Sequence, residues 1–416
     1  MATQERSVMR RVSVRDALAA MAEFPLRTAA RENIAVAAAD GRVLAAAVHA
    51  VENVPPFTRS CVDGFAVIGA DVARASETTP VILRVVGDVA MGKAAPGGLV
   101  RGSCMRIPTG GALPASADGV VMMEDAEDDG DVVKIRDGTD LEDHVTREGA
   151  DVRAGDLLCE AGTIVSPAAI GMLATAGVDR VEVYRAPRVG VLITGDELVP
   201  LGAPLAPGQI HDSNRAALCA AITALGFEPQ PYPRVADDRS AFDAAFAVAL
   251  AENDAVVISG GSSVGERDYT PAVISAAGSP GVIVHGVRAK PGRPAVLAVI
   301  GDKPVIGLPG NPVSALVVFE TLARPTLLRM FGISGEPLPW RATLRADIVV
   351  STHLEHRIPV KLTRDANGLV ATPLFGTSAH MHILGLADGL VVIPEGVGAF
   401  AAGSEVDVVP YTRRNR

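Results

Sequence analysis

The sequence predicts a multidomain α/β protein: a central doubly wound α/β domain with β-rich segments before and after it. Three observations predict this. From Arg188 onward, short apolar runs alternate with helical stretches at βαβ spacing. Residues 60–145 hold β-type runs separated by turns rich in Gly, Asp and Pro. From Leu338 to Tyr411 the chain returns to β-type runs.

The elements follow in order. Ser13 caps a helix reaching Phe24, with Val14, Ala17, Leu18 and Met21 on one apolar face. Residues 33–50 are Ala-rich and mix strand and helix character. Val54-Pro55-Pro56-Phe57 is a break. The inserted β segment has runs at 64–68, 81–86, 103–107, 119–123 and 132–135. Residues 146–152 form a loop, 157–165 an apolar stretch, and Ser166-Pro167 opens a helix to Ala176. In the α/β part, 189–194, 255–259, 281–287 and 303–306 read as strands of a parallel sheet with helices on both faces. Asp212-Ser213-Asn214 caps a helix to Leu225, Asp237-Asp238 opens one to Ala251, and Thr270-Pro271 opens another. Runs at 342–350, 358–362, 369–373, 390–393 and 405–409 form a small C-terminal β domain.

Composition narrows the function classes. The chain has 416 residues, 48% hydrophobic and 21% charged, so it can bury two to four domain cores and is not disordered. Aromatic content is 4%, with Trp340 the single tryptophan, which argues against stacking platforms for nucleic acid. A net charge of −10 argues against wrapping a polyanion, so no nucleic-acid partner is expected. Cys61, Cys104, Cys159 and Cys219 are scattered and form no C-x-x-C pair; free thiols, a reducing cytoplasmic setting and no zinc site follow. His380 and His382 are the nearest thing to a histidine cluster, and a plain loop or strand face explains them. No apolar leader and no run of about 18 apolar residues is present, so neither a signal peptide nor a membrane partner is expected.

Ligands of an open parallel sheet sit beyond the carboxyl ends of its strands. Three such ends carry unusual turns: Thr194-Gly195-Asp196-Glu197-Leu198, the stretch from Ser259 to Tyr269, and Gly307-Leu308-Pro309-Gly310-Asn311-Pro312-Val313-Ser314. In the last, Asn311 is a natural N-cap and Pro312 suits the first helical position, with the helix reaching Leu322. A well-capped structural turn is the plainer reading of any one of them. Together along one rim they attract an anion, because helix-end N–H groups and glycine backbones approach phosphate closely. The second turn offers Ser259, Gly260, Gly261 and Ser263 to phosphate, with Asp268 beyond. A carboxylate beside phosphates implies a bridging magnesium ion, with Asp268 and Glu197 as its ligands. Asp237 either helps in the same cleft or only caps its helix. Arg288, Lys290 and Arg293, stiffened by Pro291 and Pro294, form a basic rim suited to a tetrahedral oxyanion; a solvated turn is the alternative. Gly261-Ser262-Ser263-Val264-Gly265 fits the serine-hydrolase pattern, but its serine lies past the strand end and no helix follows at once. No P-loop and no dinucleotide fingerprint occurs.

These motifs resemble the molybdopterin molybdenumtransferase (MoeA) family, which includes the C-terminal E-domain of gephyrin. The likeness rests on Thr194 to Leu198, the glycine turn from Ser259 to Tyr269, Lys290-Pro291-Gly292-Arg293-Pro294 and Gly307 to Ala315. Arg59-Ser60-Cys61-Val62-Asp63-Gly64-Phe65-Ala66 and Arg106-Ile107-Pro108-Thr109-Gly110-Gly111-Ala112-Leu113-Pro114 add to it. The resemblance implies four domains: a discontinuous linker domain (27–53 and 146–186), a β-rich inserted domain (54–145), the α/β molybdopterin-binding domain (8–26 and 187–331) and a C-terminal β-barrel-like domain (332–416). It implies a magnesium-dependent transferase that inserts molybdate into adenylylated molybdopterin and releases AMP. Asp63, Thr109, Asp151, Glu197, Asp237 and Asp268 fall on the family's functional acidic and polar positions. Lys290, Arg293, Ser314, Arg357 and Ser378 would hold molybdate and phosphates, and Pro309 and Pro312 would shape the loop. The implied partners are a second copy, whose Asp63 and Thr109 act across the dimer, the pterin nucleotide, molybdopterin adenylyltransferase and molybdoenzymes. Departures stand at Cys61-Val62, Gly286, Arg293 and Lys361. Two other readings remain: adenylylation of molybdopterin, and a non-catalytic scaffold like that of gephyrin.

Overall fold

A computed structural model describes residues 9–138, 142, 144–260, 270–334 and 338–411. The chain divides into two compact units, residues 33–183 and residues 1–32 with 184–416.

The second of these opens with strand β1 (Met9–Val12) and helix α1 (Val14–Ala22). Ser13 caps α1: its hydroxyl accepts from the Asp16 N–H at 3.0 Å. Arg329 closes the other end by donating to the carbonyls of Met21 (2.7 Å) and Phe24 (2.8 Å).

Residues 33–183 contain a six-stranded sheet. Its strands are β2 (Gly64–Val67), β3 (Val81–Asp88), β4 (Ser103–Ile107), β5 (Gly119–Met122), β6 (Ala126–Asp128) and β7 (Val132–Ile135), in spatial order β5-β2-β4-β3-β7-β6. Alternation along the strands supplies two cores. Phe65, Val67, Leu83, Val121, Val133 and Ile135 pack on one face, and Ala66, Met105, Ile107 and Val120 on the other. Gly64 is obligatory, because a Cβ there would overlap the carbonyl oxygen of Val121 on the paired strand. A separate core of Val36, Leu44, Leu173, Val181 and Val183 forms under helix α2 (Pro167–Thr175), which Ser166 caps.

The larger unit holds a seven-stranded sheet. Its elements are β8 (Arg188–Ile193), α3 (Ser213–Ala224), β9 (Glu228–Pro231), α4 (Arg239–Glu252), β10 (Ala255–Ser259), α5 (Thr270–Ala276) and β11 (Pro280–Val287). Then follow β12 (Ala289–Lys290), β13 (Val296–Ile300), β14 (Lys303–Leu308), α6 (Pro312–Val318), a π turn at Phe319–Ala323 and α7 (Arg324–Leu328). The order is β1-β11-β13-β14-β10-β8-β9. Helices α4 and α5 press Phe242, Phe246, Val273 and Ile274 onto Leu192, Val256, Ile258 and Val305. The strand residues of opposite orientation, such as Val191, Val257 and Ile306, are equally buried; α3 and α6 pack on each other, and α1, α3 and α6 pack against this sheet.

The expected all-parallel sheet is corrected here. Strand β13 was absent from the sequence reading, and it pairs antiparallel with both β11 and β14. Only Gly301 and Asp302 separate β13 from β14, and so short a connection permits an antiparallel hairpin alone. The basic N-terminal stretch also yields an unexpected strand, β1, parallel to β11. The helix expected after the Asn311 cap begins at Pro312 and passes into the π turn.

The C-terminal strands are β15 (Trp340–Leu344), β16 (Glu355–Asp365), β17 (Gly368–Pro373), β18 (Gly389–Ile393) and β19 (Glu405–Pro410), with helix α8 (Met381–Leu386) before β18. The order β16-β17-β15-β19-β18 closes on itself through β16–β18 pairing, so the sheet is a barrel. Ala342, Leu344, Val360, Ala371, Val391, Ile393 and Val408 fill it. The short β12, leaving the α/β part, adds to the barrel by pairing parallel with β16.

Gly64→Ala is expected to destabilise residues 33–183 by about 3 kcal/mol or more, since the clash is with backbone and cannot relax by a rotamer change. Thermal unfolding of the full chain checks this; an unchanged Tm would refute the packing argument.

Candidate active site

Strands β8, β10 and β14 are parallel neighbours, so their carboxyl ends lie on one edge. At that edge Gly260 takes φ +101°, and a Cβ on it would overlap the carbonyl oxygen of Thr194. Asn214, near the start of α3, ties the second and third turns together. Its Nδ2 donates to Ser259 Oγ (2.9 Å) and to the Gly310 carbonyl (2.7 Å). Ser259 Oγ in turn donates to the Pro309 carbonyl at 3.1 Å. Ser259 is 1% exposed, so its hydroxyl braces the turn rather than standing free. Pro309 is buried and Gly310 exposed at the tip. Gly261, Ser263 and Asp268 lie outside the described residues.

The acidic side is built on the first turn. The Val235 N–H donates to the Ile193 carbonyl (2.9 Å), which brings Arg234 and Asp237 to the same end. Arg234 Nη1 donates to the Gly195 carbonyl (3.1 Å) and to Asp196 Oδ1 (3.0 Å), and the Asp237 N–H points at that same carboxylate oxygen (3.4 Å). Asp196 is therefore consumed in holding the turn. Asp238, not Asp237, caps α4, accepting from the Ala241 N–H at 2.8 Å. The Asp237 side chain is exposed and relieved of that duty. Glu197 is exposed and folds its carboxylate back over Gly195. Among the described residues, Glu197 and Asp237 pair with no cation. An oxygen-only donor set of this kind fits magnesium. No group of three or more His, Cys, Asp or Glu gathers among the described residues.

The basic side comes from the junction with the barrel. Arg288 is spent structurally: it donates to Glu395 (3.0 Å) and to the Arg11 carbonyl (2.9 Å). Lys290 and Arg293 are exposed and pair with no carboxylate among the described residues. Gly292 between them has φ +116° and sits against Val318, where a Cβ would overlap that side chain. The β12–β16 ladder sets Lys290 opposite His356 and Ala289 opposite Glu355. Side chains alternate along a strand, so Lys290 shares a face with His356 while Arg357 lies on the other face with Glu355. Arg357 donates from Nε to Glu355 Oε1 at 2.8 Å, and the pair's side chains are only 13% and 20% exposed. The structure thus puts Lys290 and Arg357 on adjacent strands but not side by side. His356 is 4% exposed and bonded to Ser351 Oγ at 2.9 Å. Burial, aided by the Lys290 charge, pushes its imidazole below the usual histidine range, against the Ser351 bond.

Asn311 holds the N-cap position of α6 with extended backbone, and Pro312 stands in its first turn as expected, but Asn311 makes no capping bond. Its Nδ2 instead donates to Ser378 Oγ at 3.1 Å, and the Val313 N–H donates to the Ser378 carbonyl at 3.1 Å. The loop before α8 is thereby fastened to the third turn. Ser314 is 6% exposed in the first turn of α6.

In the unit 33–183 the two remaining motifs meet each other. Asp63 Oδ1 accepts from the Thr109 N–H at 2.7 Å, and the Gly110 N–H donates to the Ser60 carbonyl at 2.8 Å. Arg106 is structural: it grips Asp128 through two bonds (2.6 and 2.7 Å), which with the Gly130 N–H hold that carboxyl down at about 2. Asp151 is exposed, its N–H donating to the Val54 carbonyl at 2.9 Å. Asp63, Thr109 and Asp151 all face solvent. Four residues escaped the sequence reading as parts of a site: Asn214, Asn311 as a side-chain donor, Glu355 and His356. The D-S-N stretch was a visible signal for Asn214, yet it reads as a helix cap and nothing more.

Three family models match the chain. They are the MoeA N-terminal region (domain I and II) over residues 12–177, a probable molybdopterin binding domain over 190–329, and the MoeA C-terminal region (domain IV) over 341–411. The chain is 33% identical over 378 residues to molybdopterin molybdenumtransferase 2 of Mycobacterium tuberculosis, covering 90% of this chain and 93% of that one. It is 36% identical over 300 residues to a molybdopterin molybdenumtransferase of Nostoc sp., covering 71% and 69%. Among solved structures, a molybdopterin biosynthesis MoeA protein from Pyrococcus horikoshii superposes with a TM-score of 0.84 at 36% identity, covering 96% of this chain and 99% of that one. A second structure of such a protein from Pyrococcus horikoshii gives 0.83 at 27% identity.

Two outcomes are expected. Asn214→Ala removes a bond to the buried Ser259 hydroxyl and one to the exposed Gly310 carbonyl and should cost about 1–3 kcal/mol, read as a lower Tm; an unchanged Tm would show that the clasp carries no weight. For His356 the folded form prefers the neutral ring, so the unfolded chain takes up the proton first as pH falls below about 6.5. Stability present at neutral pH is then lost on acidification. Tm should drop more steeply between pH 7.5 and 5.5 in the wild type than in His356→Gln, and parallel curves would remove His356 as the cause.

Proposed function

The chain belongs to the MoeA family of molybdopterin molybdenumtransferases, and on that premise we propose that it inserts molybdate into adenylylated molybdopterin, giving molybdenum cofactor and AMP. The observation that carries the proposal is the tie between the second and third strand-end turns through Asn214, and between the third turn and a barrel loop through Asn311, in a unit where Lys290 and Arg293 pair with no carboxylate among the described residues.

In this reading the backbone N–H groups of the second and third turns, with Ser263 and Ser314, hold the nucleotide phosphates. Pro309 and Pro312 fix the course of the third turn. Lys290 and Arg293 attract molybdate as two free positive charges, and Ser378 donates to one of its oxygens. Arg357 joins them only by exchanging Glu355 for the anion. Glu197, Asp237 and Asp268 are the carboxylates that would hold magnesium, whose charge would screen the phosphates and polarise the bond to be hydrolysed. Asp63, Thr109 and Asp151 complete the polar set. We propose that the protein works as a homodimer, one copy supplying Asp63 and Thr109 to the other. The four-domain division, with the boundaries given above, belongs to the same proposal.

No helix among the described residues is long and apolar enough to cross a membrane. All four cysteines are free, which supports a cytoplasmic setting.

The full chain with magnesium, molybdate and adenylylated molybdopterin should release AMP, and ATP should not be consumed. Consumption of ATP with unmodified molybdopterin would instead establish the adenylylating activity. Lys290→Ala should lower AMP release at limiting molybdate by about tenfold or more. Asp63→Asn keeps an acceptor for the Thr109 N–H and should abolish turnover without unfolding. Co-expressed Asp63→Asn and Lys290→Ala chains should regain about a quarter of wild-type activity, because half the dimers then hold one intact site of two. Failure to regain any would rule out a shared site.

A further inference from the structure

We propose that Asn311 is a positioning residue that sets the Ser378 hydroxyl as a donor to a bound tetrahedral oxyanion. The inference rests on the oxyanion reading given above and extends it.

Asn311 has the extended backbone of an N-cap, φ −63° and ψ 127°, yet its side chain makes no cap bond. A capping asparagine ordinarily accepts from an N–H of the first helical turn, which stabilises the helix. Here that contribution is forgone. The carboxamide turns away and donates from Nδ2 to Ser378 Oγ at 3.1 Å. An amide nitrogen can only donate, so the hydroxyl is the acceptor in this pair. One lone pair of Oγ is thereby occupied, and its single proton must point elsewhere.

The rest of Ser378 is held equally firmly. Its carbonyl accepts from the Val313 N–H at 3.1 Å, so α6 grips both backbone and side chain. The loop around it is closed by the His380 N–H donating to the Thr377 carbonyl at 3.0 Å. Among the described residues no acceptor takes the Ser378 proton. Ser378 is half-buried, so that proton is within reach of a ligand. The basic turn is anchored on the same helix, through Gly292 against Val318. A donor hydroxyl with its acceptor side occupied, in a unit where Lys290 and Arg293 pair with no carboxylate among the described residues, suits an oxyanion and does not suit a cation.

The test is molybdate binding to the full chain by calorimetry, with Tm measured on every variant. Ser378→Ala should weaken binding about tenfold, as expected for a hydrogen bond to a charged oxygen. Asn311→Ala should weaken it several-fold, and the double variant should bind no worse than Ser378→Ala alone, because a positioning residue has nothing left to position. Asn311→Asp is isosteric and a competent cap. It should keep or raise Tm while weakening binding more than Asn311→Ala, since its carboxylate claims the Ser378 proton and repels the anion. Wild-type-like or tighter binding by Asn311→Ala, or additive losses in the double variant, would overturn the proposal while leaving the oxyanion site intact. If the wild type neither binds molybdate nor releases AMP, the parent reading falls and this one with it.

Discussion

The contact between Gly260 and the carbonyl of Thr194 is the constraint on which the ligand edge rests. No side chain fits between the two strand ends, and the left-handed backbone at Gly260 turns the chain out at the level of its neighbour. That closeness lets one short residue, Asn214, reach two turns at once. Ser259 completes the lattice by bonding both Asn214 and Pro309. Three strand ends from distant parts of the sequence are thus tied together at one edge. Rigid donors are what a phosphate site needs, because their orientation is fixed before the ligand arrives.

The barrel is joined to this rim by backbone as well as by side chains. Strand β12 emerges from the α/β part and becomes a strand beside β16. The Asn311–Ser378 bond and the Val313–Ser378 bond make a second join. Charges sort themselves around the junction. Arg288 and Arg357 have carboxylate partners, while among the described residues Lys290 and Arg293 have none. Of the cations that the sequence offers, geometry therefore divides those that hold the fold from those left for a ligand.

Much of this was legible in the sequence, and the failures have physical causes. The strand ends and the caps at Ser13, Ser166 and Asp212 follow from local chemistry, which pattern reading captures. Strand β13 was lost because Val296-Leu297-Ala298-Val299-Ile300 lies directly between a proline-rich turn and the next apolar run. A continuous apolar stretch gives no sign of where one strand stops or in which direction it pairs. The N-terminal strand was lost because its pairing comes from β11, far along the chain. At the site, residue types were readable but allegiances were not. Nothing local shows that Asn311 forgoes its cap, that Asp238 rather than Asp237 takes that duty, or that Glu355 claims Arg357.

Strand β6 closes one side of the six-stranded sheet, and it is three residues long, Ala126–Asp128. Its backbone is flanked by Glu124, Asp125, Asp129 and Asp131, in addition to its own Glu127 and Asp128. Of these six acidic residues, Asp128 and Glu127 alone have an ion pair among the described residues, with Arg106 and Lys134. A second molecule offering the same open border would bring carboxylates against carboxylates before any ladder could form. Crowding of this acidic hem thus guards the chain against end-to-end fibre growth while its other surfaces remain available for association.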